Sequence, residues 1–111
     1  MTDWAETVVS LLINKWGTVV AQNEDWKARI SWFAGYMQLT VWSRDPSIQS
    51  WVADDVVFGR YEHRAPESME AWRAMAEAGM RGVVDGVRGK PYELFLETVE
   101  WKSGGPSSLG K

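Results

Sequence analysis

The 111-residue sequence predicts a single α+β domain in which two helices pack on an antiparallel or mixed sheet. Two segments, 2–16 and 67–87, carry apolar residues at the three- and four-residue spacing of amphipathic helices. Three segments between them favour strands, mostly because apolar and polar residues alternate. With a last strand at 92–101, the predicted order is α-β-β-β-α-β in one domain at 1–102, followed by a Gly/Ser/Pro-rich tail at 103–111.

The first helix has a wide apolar face. Asp3 is placed to cap its N-terminus, Glu6 stands three residues further on, and Gly17 is a common helix stop. The main apolar row recurs at every fourth position, as Trp4, Val8, Leu12 and Trp16. The second row is Ala5, Val9 and Ile13. Such a face is covered either by the sheet alone or by the sheet and a neighbouring subunit.

A β-hairpin is predicted next. Segments 26–33 and 36–44 alternate, and Ala34-Gly35 between them supplies a turn. Trp42 falls on the polar side of the second strand, so we expect it to be covered only in an assembly. The preceding residues, 18–21, form either a short strand or part of a loop.

The third strand is predicted over 50–65, with an interruption at Asp54-Asp55. In the second helix, which begins near Ser68, a stripe of small residues runs along one side: Ala71, Ala74, Ala78, Gly82 and Gly86. A glycine inside a helix costs about 1 kcal/mol relative to alanine. The stripe therefore predicts either close approach of another backbone or fraying of the helix. Residues 92–101 are apolar on both faces, which favours a central strand.

Composition narrows the classes of function. Twelve basic and fifteen acidic residues argue against a protein held to nucleic acid by overall charge, although a local basic patch stays possible. The absence of cysteine excludes disulfides and any cysteine-based metal site or nucleophile. No secretory leader pattern is present and the apolar runs are short, so we expect a soluble intracellular protein without a membrane partner.

Eight tryptophans are more than a chain of this length is expected to bury. Tryptophan is enriched where proteins meet, so we expect some of these residues to contact another chain. The predicted interface residues combine exposed tryptophans with the small-residue stripe: Trp42, Trp51, Ala78, Gly82 and Trp101. The partners are expected to be protein subunits, including further copies of this chain.

Catalytic and metal-binding patterns are weak. His63 is the only histidine, and it would need Asp54 or Asp55 to act as an oriented general base. A metal site would have to combine His63 with these aspartates or Glu62, and their spacing matches no common ligand pattern. We therefore expect no enzyme activity, metal or cofactor, and interpret His63 as part of a charged strand end.

Two patterns bear on nucleic acids and nucleotides. A nucleic-acid site would combine arginines with aromatic stacking platforms, as Arg29, Arg44, Arg60 and Arg64 with Trp42 and Tyr61. With a net negative chain, this site is the weaker expectation, and a basic rim facing another protein explains the pattern equally well. Residues 105–111 match seven positions of a phosphate-binding loop, but the sequence supplies neither the Ser/Thr nor the helix that should follow.

The order of elements resembles the tail terminator or tail-completion proteins at the neck of long-tailed bacteriophages and related archaeal viruses. The segments that carry the resemblance are the helix at 3–16, the strand at 38–45, the helix at 68–87 and the strand at 92–101. The resemblance implies a non-enzymatic structural subunit of a homo-oligomeric ring, often a hexamer. Such a ring stops growth of the tail tube and joins it to connector proteins in a virion assembled in the host cytoplasm. Because the resemblance rests on element order alone, it assigns no function to any individual residue.

Two alternatives stay open beside the ring. The first is a cone-shaped α+β domain, similar to nuclear-transport-factor-like proteins, that binds a small ligand or uses His63 with Asp54 or Asp55 inside a pocket. The second is a monomeric inhibitor or adaptor with one exposed tryptophan patch. The pocket hypothesis predicts that His63 and an aspartate point into a concavity. The ring predicts apolar patches on two different sides of the subunit.

Overall fold

The computed structural model describes residues 2–15, 17–62 and 64–104, with Lys15 described by its backbone alone. The predicted α+β class is confirmed, but the element order is α-β-β-β-β-α-α-β. The elements are α1 (Asp3–Lys15), β1 (Thr18–Gln22), β2 (Trp26–Phe33), β3 (Tyr36–Asp45), β4 (Ser50–Arg60), α2 (Met69–Val87), α3 (Glu93–Thr98) and β5 (Lys102–Ser103).

The strands form one five-stranded sheet in the order β4-β3-β2-β1-β5, and every neighbouring pair is antiparallel. The hairpin is confirmed: Phe33 pairs with Tyr36 across a two-residue turn, and Gly35 takes the positive φ that the turn requires. The short strand left open at 18–21 exists as β1. It adds a strand to the predicted order.

The predicted interruption of the third strand is a β-bulge. Val41 pairs with Asp55 and Trp42 with Ala53, so Asp54 is the extra residue on β4. The strand ends at Arg60, five residues before the predicted end. Beyond the bulge, β4 continues as one partner of β3, which makes it the edge strand of the sheet.

The prediction of a central strand over 92–101 is wrong. The segment forms α3, and only Lys102–Ser103 reaches the sheet, at the edge beside β1. The apolar residues that favoured a strand sit at the spacing of one helical face: Tyr92, Phe95, Leu96 and Val99. Leu94 lies off that face and is 68% exposed, as a helix requires. The predicted domain boundary at 102 also falls inside β5, and residues 105–111 of the tail lie outside the described residues.

The described part of the wide α1 face is largely covered within the chain, and Trp16 of the predicted main row lies outside the described residues. Both apolar rows contribute buried residues, because α1 packs against α2 and α3 as well as against β1 and β5. Trp4 at its start stacks on Trp101, with ring centroids 5.7 Å apart and planes at 17°. A neighbouring subunit is therefore not needed to bury this face.

Helix α2 lies unusually close to β4. Its N-terminus begins after Ser68, whose hydroxyl oxygen accepts a hydrogen bond from the Ala71 N–H at 3.1 Å. Further along, a Cβ on Gly59 would overlap the carbonyl oxygen of Gly79, and a Cβ on Gly82 would lie 2.8 Å from the Cα of Gly59. The close backbone approach predicted from the small-residue stripe thus occurs, with β4 of the same chain as the neighbour.

Candidate functional site

The helices pack on one side of the sheet, and the other side, here called the open face, has no described helix on it. The alternation along β2 shows this: Ala28 and Ile30 are fully buried, whereas Lys27 and Arg29, which alternate with them, are only half-buried. Ser31 and Thr40 also lie on the open face and are nearly buried, since they are short side chains among longer ones. The open face is the surface on which Trp42 and Trp51, two of the residues predicted to contact a partner, both lie.

One half of the open face holds a cation–aromatic cluster, defined as Lys27, Arg29, Trp42 and Trp51. Lys27 pairs with Trp42 across β2 and β3, and its Nζ lies 4.9 Å from the Trp42 ring centroid and 5.4 Å from that of Trp51. The Cζ of Arg29 lies 5.3 Å from the Trp42 centroid. These distances fall within the range of cation–π attraction, which is worth about 0.5–1 kcal/mol at exposed sites. The rings and cations therefore support each other in fixed positions.

A cavity of about 590 Å³ lies beside this cluster. Its wall is formed by β1, β2, the segment around β5 and Trp42 of β3, and it includes Gln22, Arg29 and Lys102. Glu100 also lines it and is the acidic residue among the lining side chains. Neither Asp54 nor Asp55 is among the lining residues, so the pocket pairing proposed for them with His63 is not found here.

The other half of the open face carries exposed apolar residues, with Arg60 opposite Tyr36 at its end. We define the apolar patch as Phe33, Tyr36, Val56 and Phe58. Phe33 stacks on Tyr36 at 5.3 Å between centroids, and Phe58 meets Tyr36 edge-on at 5.4 Å. Phe58 is nevertheless 55% exposed and Val56 42% exposed. Both lie on the edge strand β4, whose outer side has no partner strand among the described residues.

Charge is unevenly distributed over the molecule. The open-face positions of the described strands carry five basic residues and, outside the bulge, no acidic one; the basic residues are Lys27, Arg29, Arg44, Arg60 and Lys102. The chain as a whole has a net charge of −3. The open face is therefore a basic surface on an acidic protein.

The aspartates of the bulge serve a buried tyrosine. The Tyr92 hydroxyl donates to Oδ2 of Asp55 at 2.6 Å, and the Lys90 Nζ lies 3.0 Å from the same oxygen. These two contacts hold the pKa of Asp55 below its usual value. Burial of Tyr92, together with the nearby charges of Asp55 and Asp54, raises the pKa of its hydroxyl. Asp55 is thus already engaged, which leaves it poorly placed to orient a histidine, and His63 itself lies outside the described residues.

The predicted nucleic-acid residues divide into two groups. Arg29, Arg44, Arg60 and Trp42 share the open face. Tyr61 does not join them, because its ring packs edge-on against Trp32 at 5.2 Å and its hydroxyl donates to the carbonyl of Phe33. Arg64 lies beyond the sheet in a weak, exposed ion pair with Glu62 at 3.7 Å.

The predicted interface residues are also dispersed. Trp42 and Trp51 lie half-buried on the open face, and Ala78 is half-buried on α2. Gly82 packs against Gly59, which accounts for its lack of a side chain. Trp101 is 6% exposed and its Nε1 donates to the Leu96 carbonyl at 3.0 Å, so its ring belongs to the monomer core.

Two residues of the basic surface, Lys27 and Lys102, are not among the site residues predicted from the sequence. Lys27 alternates in phase with Arg29, and that phase is a usable signal. Lys102 reaches the surface because β5 pairs with β1, with Lys102 opposite Val20. No local pattern indicates this pairing, since the two strands are far apart in the chain.

Among residues 2–15, 17–62 and 64–104, no three His, Cys, Asp or Glu side chains gather into a group that could hold a metal ion. None of the helices described is both long and apolar enough to span a membrane. Comparison with family models, with curated proteins and with solved structures found no match.

Proposed function

We propose that this chain is a non-enzymatic, self-assembling structural subunit, and that copies join through the free edge of β4 and the apolar patch beside it. The observation that carries the proposal is the edge strand: it is eleven residues long, has no partner strand on its outer side among the described residues, and exposes Val56 and Phe58. Long apolar edge strands template pairing with another strand, and proteins usually blunt them with charge or proline.

A second copy of the chain fits this edge. In an antiparallel pairing of two β4 strands centred on Val57, Val56 of each copy stands opposite Phe58 of the other. Such aromatic–β-branched pairs stabilise sheets by roughly 0.2–1 kcal/mol each. In the same register Asp54 of one copy stands opposite Arg60 of the other, so unlike charges meet. The edge is therefore complementary to itself in both shape and charge.

The viral ring is the specific setting implied by the element order that the sequence predicts, and it stays part of the proposal. The first helix, the long β3 strand and α2 agree with the segments that carry this resemblance, whereas β1 is additional and α3 replaces the last long strand. The ring of a tail terminator would need copies joined head to tail through two different patches. The size of the assembly decides between this ring and a twofold dimer.

The test is the solution mass of the full chain by light scattering on a sizing column, at two concentrations and two salt levels. We expect a discrete oligomer that falls to monomer in Phe58→Lys and in Val56→Lys. Leu94→Lys is the matched control, since it introduces the same charge at another exposed apolar residue, on α3 and away from β4. Thermal melts verify that each variant is folded.

A sixfold mass supports the ring, and a twofold mass supports pairing of two β4 edges. A wild-type monomer at every concentration contradicts self-assembly and favours the adaptor alternative. Dissociation by Leu94→Lys to the same extent as by Phe58→Lys contradicts the assignment to β4.

A further inference from the structure

We propose that the cation–aromatic half of the open face binds single-stranded nucleic acid. This inference goes beyond the proposed assembly, and it rests on different residues and a different half of the sheet. Three observations carry it: the segregation of basic charge, the interleaving of indoles with cations, and the cavity that continues this surface.

The position of the basic side chains matters here more than the net charge of the chain. Four basic residues, Lys27, Arg29, Arg44 and Lys102, lie on this half of the open face of a chain whose net charge is −3. Because acidic side chains lie elsewhere in the described structure, a polyanion meets attraction on this face and repulsion from much of the remaining surface. Glu100 at the cavity wall is the exception, and it leaves Lys27, Arg29 and Lys102 in excess around the same cavity.

The two indoles beside these cations favour an anion that also carries aromatic bases. Trp42 and Trp51 lie on adjacent strands with Lys27 close to both rings. Alternating rings and cations on a sheet surface are the arrangement with which proteins hold single strands, since bases stack on the rings while phosphates meet the cations. A carboxylate-rich peptide would meet the cations but offers no planar base to stack on the exposed parts of the two indoles.

The cavity supplies room for part of the ligand. Its volume of about 590 Å³ lies within the range of sites that enclose small organic groups. Thr18 and Gln22 offer hydrogen-bonding groups on one wall, and Lys102 stands on the β5 side. A nucleotide seated there continues the path of a strand that crosses Trp42. Bases within a duplex are stacked on each other, so they cannot stack on the indoles in this way.

The test is fluorescence anisotropy of labelled twelve-residue oligo(dT) and oligo(U) with the full chain, titrated at several salt concentrations. Binding to single strands weakens with salt in proportion to the number of phosphates neutralised, with a logarithmic slope of about −0.7 per contact. We expect Lys27→Gln with Lys102→Gln to reduce the slope by about 1.4. Arg81→Gln with Arg88→Gln is the matched control, because it removes the same charge from exposed positions on and beside α2.

Trp42 variants separate stacking from charge. We expect Trp42→Leu to weaken binding roughly five- to a hundredfold with little change in slope, and Trp42→Phe to recover much of the affinity. Circular dichroism and thermal melts establish that both variants fold. The relative affinities for oligo(dT) and oligo(U) show which nucleic acid the site prefers.

Several results would overturn the proposal. One is the absence of binding to either oligonucleotide at 50 mM salt and 100 μM protein, on the order of the weakest nonspecific affinities. A second is equal loss of binding in the Arg81 and Arg88 control. A third is binding of duplex DNA as tight as that of the single strand. A fourth is binding of polyglutamate as tight as that of the oligonucleotides and unchanged in Trp42→Leu, which would indicate that the face binds an acidic protein.

Discussion

Substitution of Gly82 distinguishes whether the small-residue stripe of α2 is needed for packing within the chain or for contact with a partner. In Gly82→Ala, the new Cβ would lie 2.8 Å from the Cα of Gly59. That Cα is part of the backbone of β4, which packs closely against α2. Neither β4 nor α2 can move away freely, because β4 is also paired with β3 and α2 also packs against α1. The substitution therefore forces a shift of the helix from the sheet.

Two opposing terms set the magnitude. Alanine in place of glycine inside a helix stabilises it by about 1 kcal/mol. Overpacking a well-filled contact costs roughly 1–3 kcal/mol, and the upper part of that range applies where backbone atoms collide. We expect a net loss of about 1–2 kcal/mol for Gly82→Ala. Gly59→Ala lies in a strand and receives no helical gain, so its loss should be larger.

The assay is chemical unfolding followed by circular dichroism, with thermal melts in parallel. A loss of 1 kcal/mol lowers the melting temperature of a domain of this size by roughly 4–8 °C. Ala74→Gly, at an exposed position of the same helix, calibrates the helical term in this chain. A more stable Gly82→Ala protein would refute the packing argument, since the helix would then have room for the methyl group. The glycine would have to be explained by something outside the monomer.

Other predictions concern the buried contacts. Tyr92→Phe should lower the free energy of unfolding by about 1–2 kcal/mol, because Asp55 loses a hydrogen bond donated to its carboxylate. The folded-state pKa of Asp55 is lowered, so its contribution is present above the unfolded value and is lost as pH falls into the acid range; Asp55→Asn should flatten the acid side of a stability–pH profile. The pKa of Tyr92 is raised, so its contribution is lost above about pH 10, and Tyr92→Phe should flatten the alkaline side. Trp101→Phe should lower the free energy of unfolding in urea by about 1–3 kcal/mol, because the Leu96 carbonyl loses its hydrogen-bond donor. The mass measured by light scattering should not change. A changed mass with unchanged stability would show that Trp101 contacts another chain.

The sequence was informative where local periodicity decides the structure. The helices α1 and α2 and the β2–β3 hairpin follow from spacings of four and of two, and their observed bounds lie close to those predicted. The segment at 92–101 failed because its apolar residues satisfy two periods. Tyr92, Phe95, Leu96 and Val99 fit a helix face, but the dense apolar content also fits a buried strand.

The site was less predictable because it depends on pairings distant in sequence. Trp42 and Trp101 both appeared to be surplus aromatic residues, and only the packing of α3 and α1 separates them: Trp101 stacks on Trp4, whereas Trp42 stays on the open face. Lys102 joins the basic surface through the β1–β5 pairing. Arg29, Arg44 and Trp42, which the sequence groups only in a conditional nucleic-acid site, do share the open face.

The two proposed surfaces reinforce each other geometrically if β4 pairs with β4 of a second copy. An antiparallel twofold pairing continues the sheet, and equivalent side chains of the two copies then point to the same side. The two cation–aromatic clusters would lie on one side of a ten-stranded sheet, and a long strand that reaches both would gain from effective concentration. A strand that reaches a single cluster would gain nothing from assembly. Phe58 and Lys27 lie on different halves of the face, so loss of assembly and loss of binding are separable by mutation.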